Sequence, residues 1–207
     1  MPKVAYSEED RLQIRQALVV KALELMAKQG IQHTTVEQIY QAVSISRTFF
    51  YTFFPSKEDL IVETFYLQQP KILAYAQSLM SDPALTWKEG VVQFLRSCCY
   101  GEESGIAVMT IQEQQLLFRR LSPASYQLFR QKQEQLFSQL LLCFGIQPSR
   151  ARIQLFTNIS LTAIVVRRAI PDTLPFFVPD AREETVEFQI RAIADYLEQL
   201  RDTPLPA

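Results

Sequence analysis

Residues 39–60 read IYQAVSISRTFFYTFFPSKEDL, Ile39 to Leu60, and this stretch decides how the chain is organised. Val36, Ile39, Tyr40 and Val43 share one face of a short helix. Thr34-Thr35-Val36-Glu37 has the spacing of a capping box that would open it. Ser44-Ile45-Ser46 is a short polar break, and a second short helix follows from Ser46 or Arg47 to Phe53. At 100° per residue, Ser46, Phe50, Phe53 and Phe54 fall in one arc, while Thr48, Tyr51 and Thr52 fall opposite, with Phe49 at the edge. Pro55 ends that helix, and Ser56 is placed to cap another beginning at Lys57.

Outward from this core the pattern stays helical. Residues 8–29 carry Ile14, Leu18, Ala22 and Leu25 along one face, and Gly30 stands where a helix C-terminus favours positive φ. Beyond residue 57, helices are expected at 57–80, 85–101, 104–121, 123–144, 149–170 and 181–201. Asp82-Pro83, Ser122-Pro123 and Pro148-Ser149 punctuate them, and Pro171 to Pro179 forms the longest loop. No strand-type alternation, repeat or low-complexity segment stands out, so the expected fold class is all-α.

Composition narrows the functional classes. The 207 residues contain 21 Lys+Arg, 22 Asp+Glu, one His and three Cys. Five glycines are present, against about fourteen at average usage, which disfavours Gly-rich phosphate loops. With His33 the sole imidazole, a His-rich metal site is impossible, and no nucleotide-binding or zinc spacing occurs. His33 precedes the capping box, where a surface loop position without a role and a phosphate contact when protonated are both open. Cys98, Cys99 and Cys143 are odd in number, and the adjacent pair suits small core residues better than a disulfide. Neither an enzyme, a metal nor another cofactor is expected. The acidic N-terminus is unlike a signal peptide, and the longest charge-free apolar stretch, Ile153 to Val166, is too short to span a bilayer. A cytoplasmic, reduced, membrane-free protein is the expectation.

The layout of residues 8–54 is that of a helix-turn-helix, whose last helix can enter a major groove. Arg11, Arg15, Lys21, Lys28, Arg47 and Lys57 stand against Glu24 and Glu37 in residues 11–57, a local excess of four positive charges. A few such cations are enough to meet phosphates; on charge alone, a solvated helix face looks the same.

With its flanks, the quoted stretch resembles the DNA-binding signature of the tetracycline-repressor (TetR) family of bacterial transcriptional regulators. Ser46-Arg47, Tyr51, Phe54 and Ser56-Lys57-Glu58-Asp59-Leu60 carry the likeness, over roughly residues 10–60. The resemblance implies a helix-turn-helix domain at 1–56 and a helical effector-binding and dimerisation domain at 57–207. Thr35 would cap the second helix and contact a phosphate. Ser46, Arg47, Thr48 and Thr52 would lie at the DNA, with Arg47 best suited to guanine. Tyr51 and Lys57 would bind phosphates. Two positions depart from the pattern. Ser44 replaces the usual turn glycine, so the backbone there is strained or the turn angle differs. Phe49 replaces a small or hydroxyl residue, and either covers a thymine methyl or turns inward.

For the C-terminal region the resemblance implies a ligand pocket and a dimer interface. Trp87, Phe94, Met109, Phe118, Tyr126, Phe129 and Phe137 spread large apolar groups over four helices, with Cys98, Gln112 and Gln115 as polar points. These form either a cavity for a small apolar effector or plain core. A two-fold dimer would use Ile153, Phe156, Thr157, Ser160 and Ile164 from one helix. The last helix would add Phe188, Ala192, Ile193, Tyr196 and Leu200. Pro70 should kink or break the fourth helix, and ligand binding is expected to move residues 57–70. The apolar loop Thr173 to Pro179 should pack onto the bundle or a partner. The expected function is a ligand-relieved repressor binding a palindromic operator as a homodimer. The alternative is a ligand-binding or interaction protein of the same fold with weak or lost DNA binding.

Overall fold

A computed structural model of the chain describes residues 6–100, 111–169 and 178–202. The described residues form helices and no strand: α1 (Glu8–Gln29), α2 (Val36–Ala42), α3 (Arg47–Phe50), α4 (Lys57–Met80), α5 (Trp87–Tyr100), α6 (Ile111–Arg120), α7 (Pro123–Cys143), α8 (Arg150–Ala169) and α9 (Arg182–Asp202). A short 3-10 turn, Pro179–Ala181, leads into α9. The all-α expectation holds. The chain divides into two compact units, one of residues Met1–Gln68 with Gln115–Tyr126, the other of Gln69–Gln114 with Gln127–Ala207.

In the first unit, α1 buries Leu18, Val19, Ala22 and Met26, leaving Ile14 and Leu25 half-buried at the edge of the stripe. Gly30 ends it at φ 82°, its N–H reaching the Met26 carbonyl at 2.9 Å. The capping box of α2 is one residue later than the sequence pattern suggests. Thr35 accepts from the Gln38 N–H at 3.1 Å, and the Gln38 side chain accepts from the Thr35 N–H at 2.8 Å. Thr34 is instead buried, and its hydroxyl donates to the Gly30 carbonyl at 2.8 Å. Ser56 caps α4 as expected, accepting from the Asp59 N–H at 3.1 Å.

The second unit has a continuous core in which Phe94, Phe137, Phe144 and Phe156 meet largely edge to face, at centroid distances of 5.3 to 6.2 Å. Rings in this arrangement align positive edges with negative faces, adding to the gain from burial. Ala76, Val91, Leu141, Val186, Ile190 and Leu197 complete the interior. α7 ends in a Schellman turn, with the Ile146 N–H on the Leu141 carbonyl at 2.8 Å and Gly145 at φ 73°. Polar ties stitch α5 to α9. Arg96 holds Glu187 with two bonds of 2.8 and 2.6 Å, Tyr100 donates to Glu183 at 2.6 Å, and Lys88 pairs with both Asp195 and Glu198.

Three expectations need correction or fall outside the description. Pro70 does not break α4, which is a single helix from Lys57 to Met80. The exposed proline lies beside the boundary between the units, at Gln68 and Gln69. Its missing N–H removes one bond, which the remaining helical bonds tolerate. Residues 104–110 and 170–177, which include Met109 and Thr173 to Phe177, lie outside the described residues, as does the side chain of Gln112.

Candidate nucleic-acid interface

The turn between α2 and α3 aims the candidate reading residues. Its bonds repeat the pattern at the end of α7: the Ile45 N–H meets the Tyr40 carbonyl and the Ser44 N–H meets the Gln41 carbonyl, each at 3.0 Å. Ser44 takes the left-handed position at φ 59°. Of the two possibilities left open, the strained backbone is the one adopted. A side-chain-bearing residue there costs about 1 kcal/mol relative to glycine.

After that turn, α3 is shorter than expected. It spans Arg47–Phe50, and residues 51–53 continue as turn rather than helix. The bonds shift to a tighter register, with the Thr52 N–H on the Phe49 carbonyl at 3.1 Å and the Phe53 N–H on Phe50 at 2.9 Å. Pro55 lies just beyond and biases Phe54 against helical geometry. The division of faces survives. Phe50 is fully buried and Phe54 nearly so. Arg47, Thr48, Tyr51 and Thr52 are exposed. Burying Phe50 and Phe54 contributes roughly 2–3 kcal/mol each and pins the opposite face outward.

Ser46, placed by helical projection on the inner arc, is exposed and caps α3 by accepting from the Phe49 N–H at 3.2 Å. The Thr52 hydroxyl donates to the Phe49 carbonyl at 2.7 Å. The Arg47 guanidinium lies 5.9 Å from the Tyr51 ring centroid. Phe49 is half-buried: Tyr6 stacks on it at 4.7 Å, Phe53 meets it edge-on at 4.9 Å, and the Arg11 guanidinium lies 5.7 Å from its centroid. Lys57 is partly committed, since its ammonium donates to the Ile31 carbonyl at 2.6 Å and ties the start of α4 to the loop after α1. His33 is exposed. The Tyr6 and Arg11 contacts escaped sequence reasoning. Arg11 and Phe49 are 38 positions apart, and only the three-dimensional packing joins them.

The α4 start is held by further polar contacts within the first unit. Asp59 accepts from Ser125 at 2.6 Å, and Arg120 pairs with Glu58 at 3.2 Å.

The residues singled out for an effector do not gather around one described cavity. Trp87 donates its indole N–H to the Phe144 carbonyl at 2.9 Å, and the Arg201 guanidinium stands 5.1 Å from its ring. Phe94 lies in the core against Phe144, beside Tyr75. Cys98 is half-buried, and burial pushes its thiol up to about 12 and that of Cys99 up to about 11, so both are inert thiols near neutral pH. Phe129 is half-buried on α7 in the second unit, whereas Phe118 and Tyr126 pair edge to face at 5.9 Å in the first. An open groove of about 680 Å³ in the second unit is lined instead by Gln131, Glu134, Gln135, Ser138, Gln139 and Ile153.

The expected dimer residues divide in the same way. Phe156 and Ser160 are buried in the subunit's own core, as is Ile193, because the inner face of α8 already packs against its neighbours. They are corrected to core positions. Ile153, Thr157, Ile164 and Tyr196 are half-buried, while Ala192 and Phe188 are exposed, Phe188 at 72%. Leu155 and Leu161, exposed at 43% and 42% on α8, were missed. Six positions apart, they lie about 120° from each other around the helix, so helical periodicity does not single them out. Among the described residues, no cluster of His, Cys, Asp or Glu is placed to hold a metal, and no helix is long and apolar enough to cross a membrane.

Residues 18–64 match the family model described as bacterial regulatory proteins, tetR family. The HTH-type transcriptional regulator TcmR of Streptomyces glaucescens is 48% identical over 46 residues, 22% of this chain and 20% of that protein. The match thus spans about a fifth of the length of this curated relative. A TetR-family transcriptional regulator from Pectobacterium atrosepticum superposes with a TM-score of 0.60 at 16% identity, covering 97% of this chain and all of that one. RolR in complex with resorcinol gives 0.55 at 15% identity, over 97% and 99% of the two chains. At such identities the structural likeness is one of fold. The reading helices thus match the family model of the tetR regulatory proteins, and almost the whole length of the chain shares its fold with solved TetR-family structures.

Proposed function

We propose that the chain is a sequence-specific DNA-binding transcriptional regulator that reads a roughly palindromic operator as a homodimer, and is a repressor relieved by a small apolar molecule. The observation that carries the reading is the two-sided reading segment: Phe50 and Phe54 are buried while Arg47, Thr48, Tyr51 and Thr52 stand outward together. Arg47 supplies two parallel donors for a guanine edge, Thr48 and Thr52 supply hydroxyls, and Thr35, Tyr51 and Lys57 meet phosphates. Ser46 acts on the same surface as the α3 cap. Ser44, the departure that favours a protein with weak DNA binding, takes the left-handed turn conformation in spite of its side chain.

A second copy of the chain meets the first through solvent-facing residues of α8 and α9, with Leu161, Phe188 and Ala192 added to the half-buried Ile153, Thr157, Ile164 and Tyr196. A two-fold pair would then present both α3 segments to successive major grooves. RolR, of the same fold, is described with resorcinol bound, which supports an effector of that size lodged among aromatic side chains such as Phe129. Its binding would repel DNA only by favouring a different placement of residues 57–70.

The test is selection of binding sites from random duplex DNA with the purified full-length chain and with Arg47→Ala. The expected result is a palindromic motif lost or degraded in the variant. Absence of enrichment at low salt would sink the reading. Release of the selected duplex by small phenols, scanned as a series, checks the effector class.

A further inference from the structure

Among the described residues of the first unit, the guanidinium groups of Arg11, Arg15 and Arg47 rest on aromatic rings, and they differ in what neutralises them. Arg15 lies 4.9 Å from the Phe54 centroid and also closes on Glu63 at 2.9 Å. Arg47 lies over Tyr51. Arg11 is shared between Phe53 and Phe49, at 5.1 and 5.7 Å, and among the described residues no carboxylate closes on it. The adjacent Asp10 is occupied by Ser7, whose backbone N–H and hydroxyl both donate to it. Arg11 is therefore fixed by ring faces rather than by an anion. A guanidinium held that way keeps its full charge, and its N–H donors lie in its own plane, free for another acceptor.

Phe49 is the centre of this arrangement. It takes the Tyr6 ring in a near-parallel stack with 21° between planes, and the Phe53 edge at 70°. Its neighbours in α3, Arg47 and Thr48, face outward. Arg11 consequently stands at the flank of the reading helix. A helix lying in a major groove about 12 Å wide has a phosphate chain on each flank. We propose that Arg11 is a phosphate anchor of the DNA-binding surface and that Phe49 is the positioning residue that sets it, rather than a reader of bases. Tyr6 clamps Phe49 from the N-terminal side. The inference rests on the DNA-binding reading above and adds a contact to it.

The experiment is the salt dependence of binding to the selected duplex, measured with the full-length protein. Arg11→Ala should weaken binding about tenfold at moderate salt, leave the preferred bases unchanged, and reduce the slope of log affinity against log salt by about 0.9, one phosphate contact. Arg11→Lys should keep the slope. Phe49→Ala should reproduce the slope loss of Arg11→Ala, and the double variant should be no worse than Arg11→Ala alone. Tyr6→Ala, at a largely exposed position, should give a smaller loss in the same direction. An unchanged slope in Arg11→Ala overturns the anchor. A Phe49→Ala protein with intact slope but relaxed preference at one base pair overturns the positioning role and makes Phe49 a base reader. If the unaltered protein itself shows no salt-dependent binding to any duplex, the DNA-binding reading fails and this inference with it.

Discussion

Both compact units hold cations on carboxylates and on rings, in different combinations. In the second unit Arg96 closes on Glu187, Lys88 on Asp195 and Glu198, and Arg167 on Glu183 while also lying 4.9 Å from the Tyr100 ring; Arg201 rests on Trp87. In the first, Arg11 and Arg47 rest on aromatic rings. An ion pair consumes its charge in holding two helices together. A ring face locates the cation and leaves the charge available. In the first unit Arg15 and Arg120, paired with Glu63 and Glu58, serve cohesion, whereas among the described residues Arg11 and Arg47 are held without a carboxylate and keep their charge for a further acceptor.

The largest expected effect tests the outward side of this contrast. Arg47→Ala should lower affinity for the selected duplex by about 10- to 100-fold, the size of one bidentate base contact, with melting temperature unchanged. Equal affinities in a direct titration would break the distinction between the units. Arg11→Ala, above, comes next.

The two Schellman turns offer a reciprocal test of backbone strain. Gly145 at φ 73° has nothing within 4 Å of where a Cβ would stand, so Gly145→Ala should destabilise by about 1 kcal/mol through its backbone alone. Ser44→Gly should relieve the same strain, gaining roughly 0.5 kcal/mol after the added freedom of the unfolded chain is subtracted. Both are read by urea denaturation. A destabilised Ser44→Gly protein would mean that the serine side chain holds the turn.

The smallest effects concern the ties between α5 and α9. Arg96→Ala should cost only about 0.5 kcal/mol, because the pair is partly exposed, and should leave the salt slope of DNA binding untouched. The hydrogen bond from Arg96, helped by its charge, holds the Glu187 carboxyl below its ordinary value of 4.5. A carboxylate whose folded pKa is lowered contributes stability above the ordinary value and loses it as pH falls through the folded one. Acid titration of the melting temperature from pH 6 downward should therefore show a steeper fall below about 4.5 in the unaltered protein than in Glu187→Gln. Parallel curves would remove Glu187 from the cohesive set.

Much of the first unit was legible because its signals are local. The boundaries of α1, the Ser56 cap and the burial of Phe50 and Phe54 all follow from spacing within a few residues. Helical projection went wrong where local rules conflict: it continued α3 to Phe53, although Pro55 and a tightened bond pattern end the helix at Phe50. The capping pattern placed the box at Thr34 and Glu37, one residue early, because Thr34 is buried and donates to the Gly30 carbonyl while Thr35 caps the helix with Gln38. In the second unit, α8 is apolar on more than one face, so periodicity could not say that Phe156 and Ser160 turn inward while Leu155 and Leu161 face out.

The sequence by itself determined the all-helical chain and the polar break that sets two short helices against each other, and it carries the resemblance of residues 10–60 to the TetR signature. Each depends on residues close together, whose backbone preferences and periodicity act before the chain is packed. Only the tertiary structure decided that Phe49 meets Tyr6 and Arg11, that Lys57 is tied to Ile31, and which apolar residues of α8 stay in solvent. These are contacts between groups distant along the chain. Hydrophobic burial is non-directional, so it fixes which side chains are withdrawn from water only once every helix has found its neighbours.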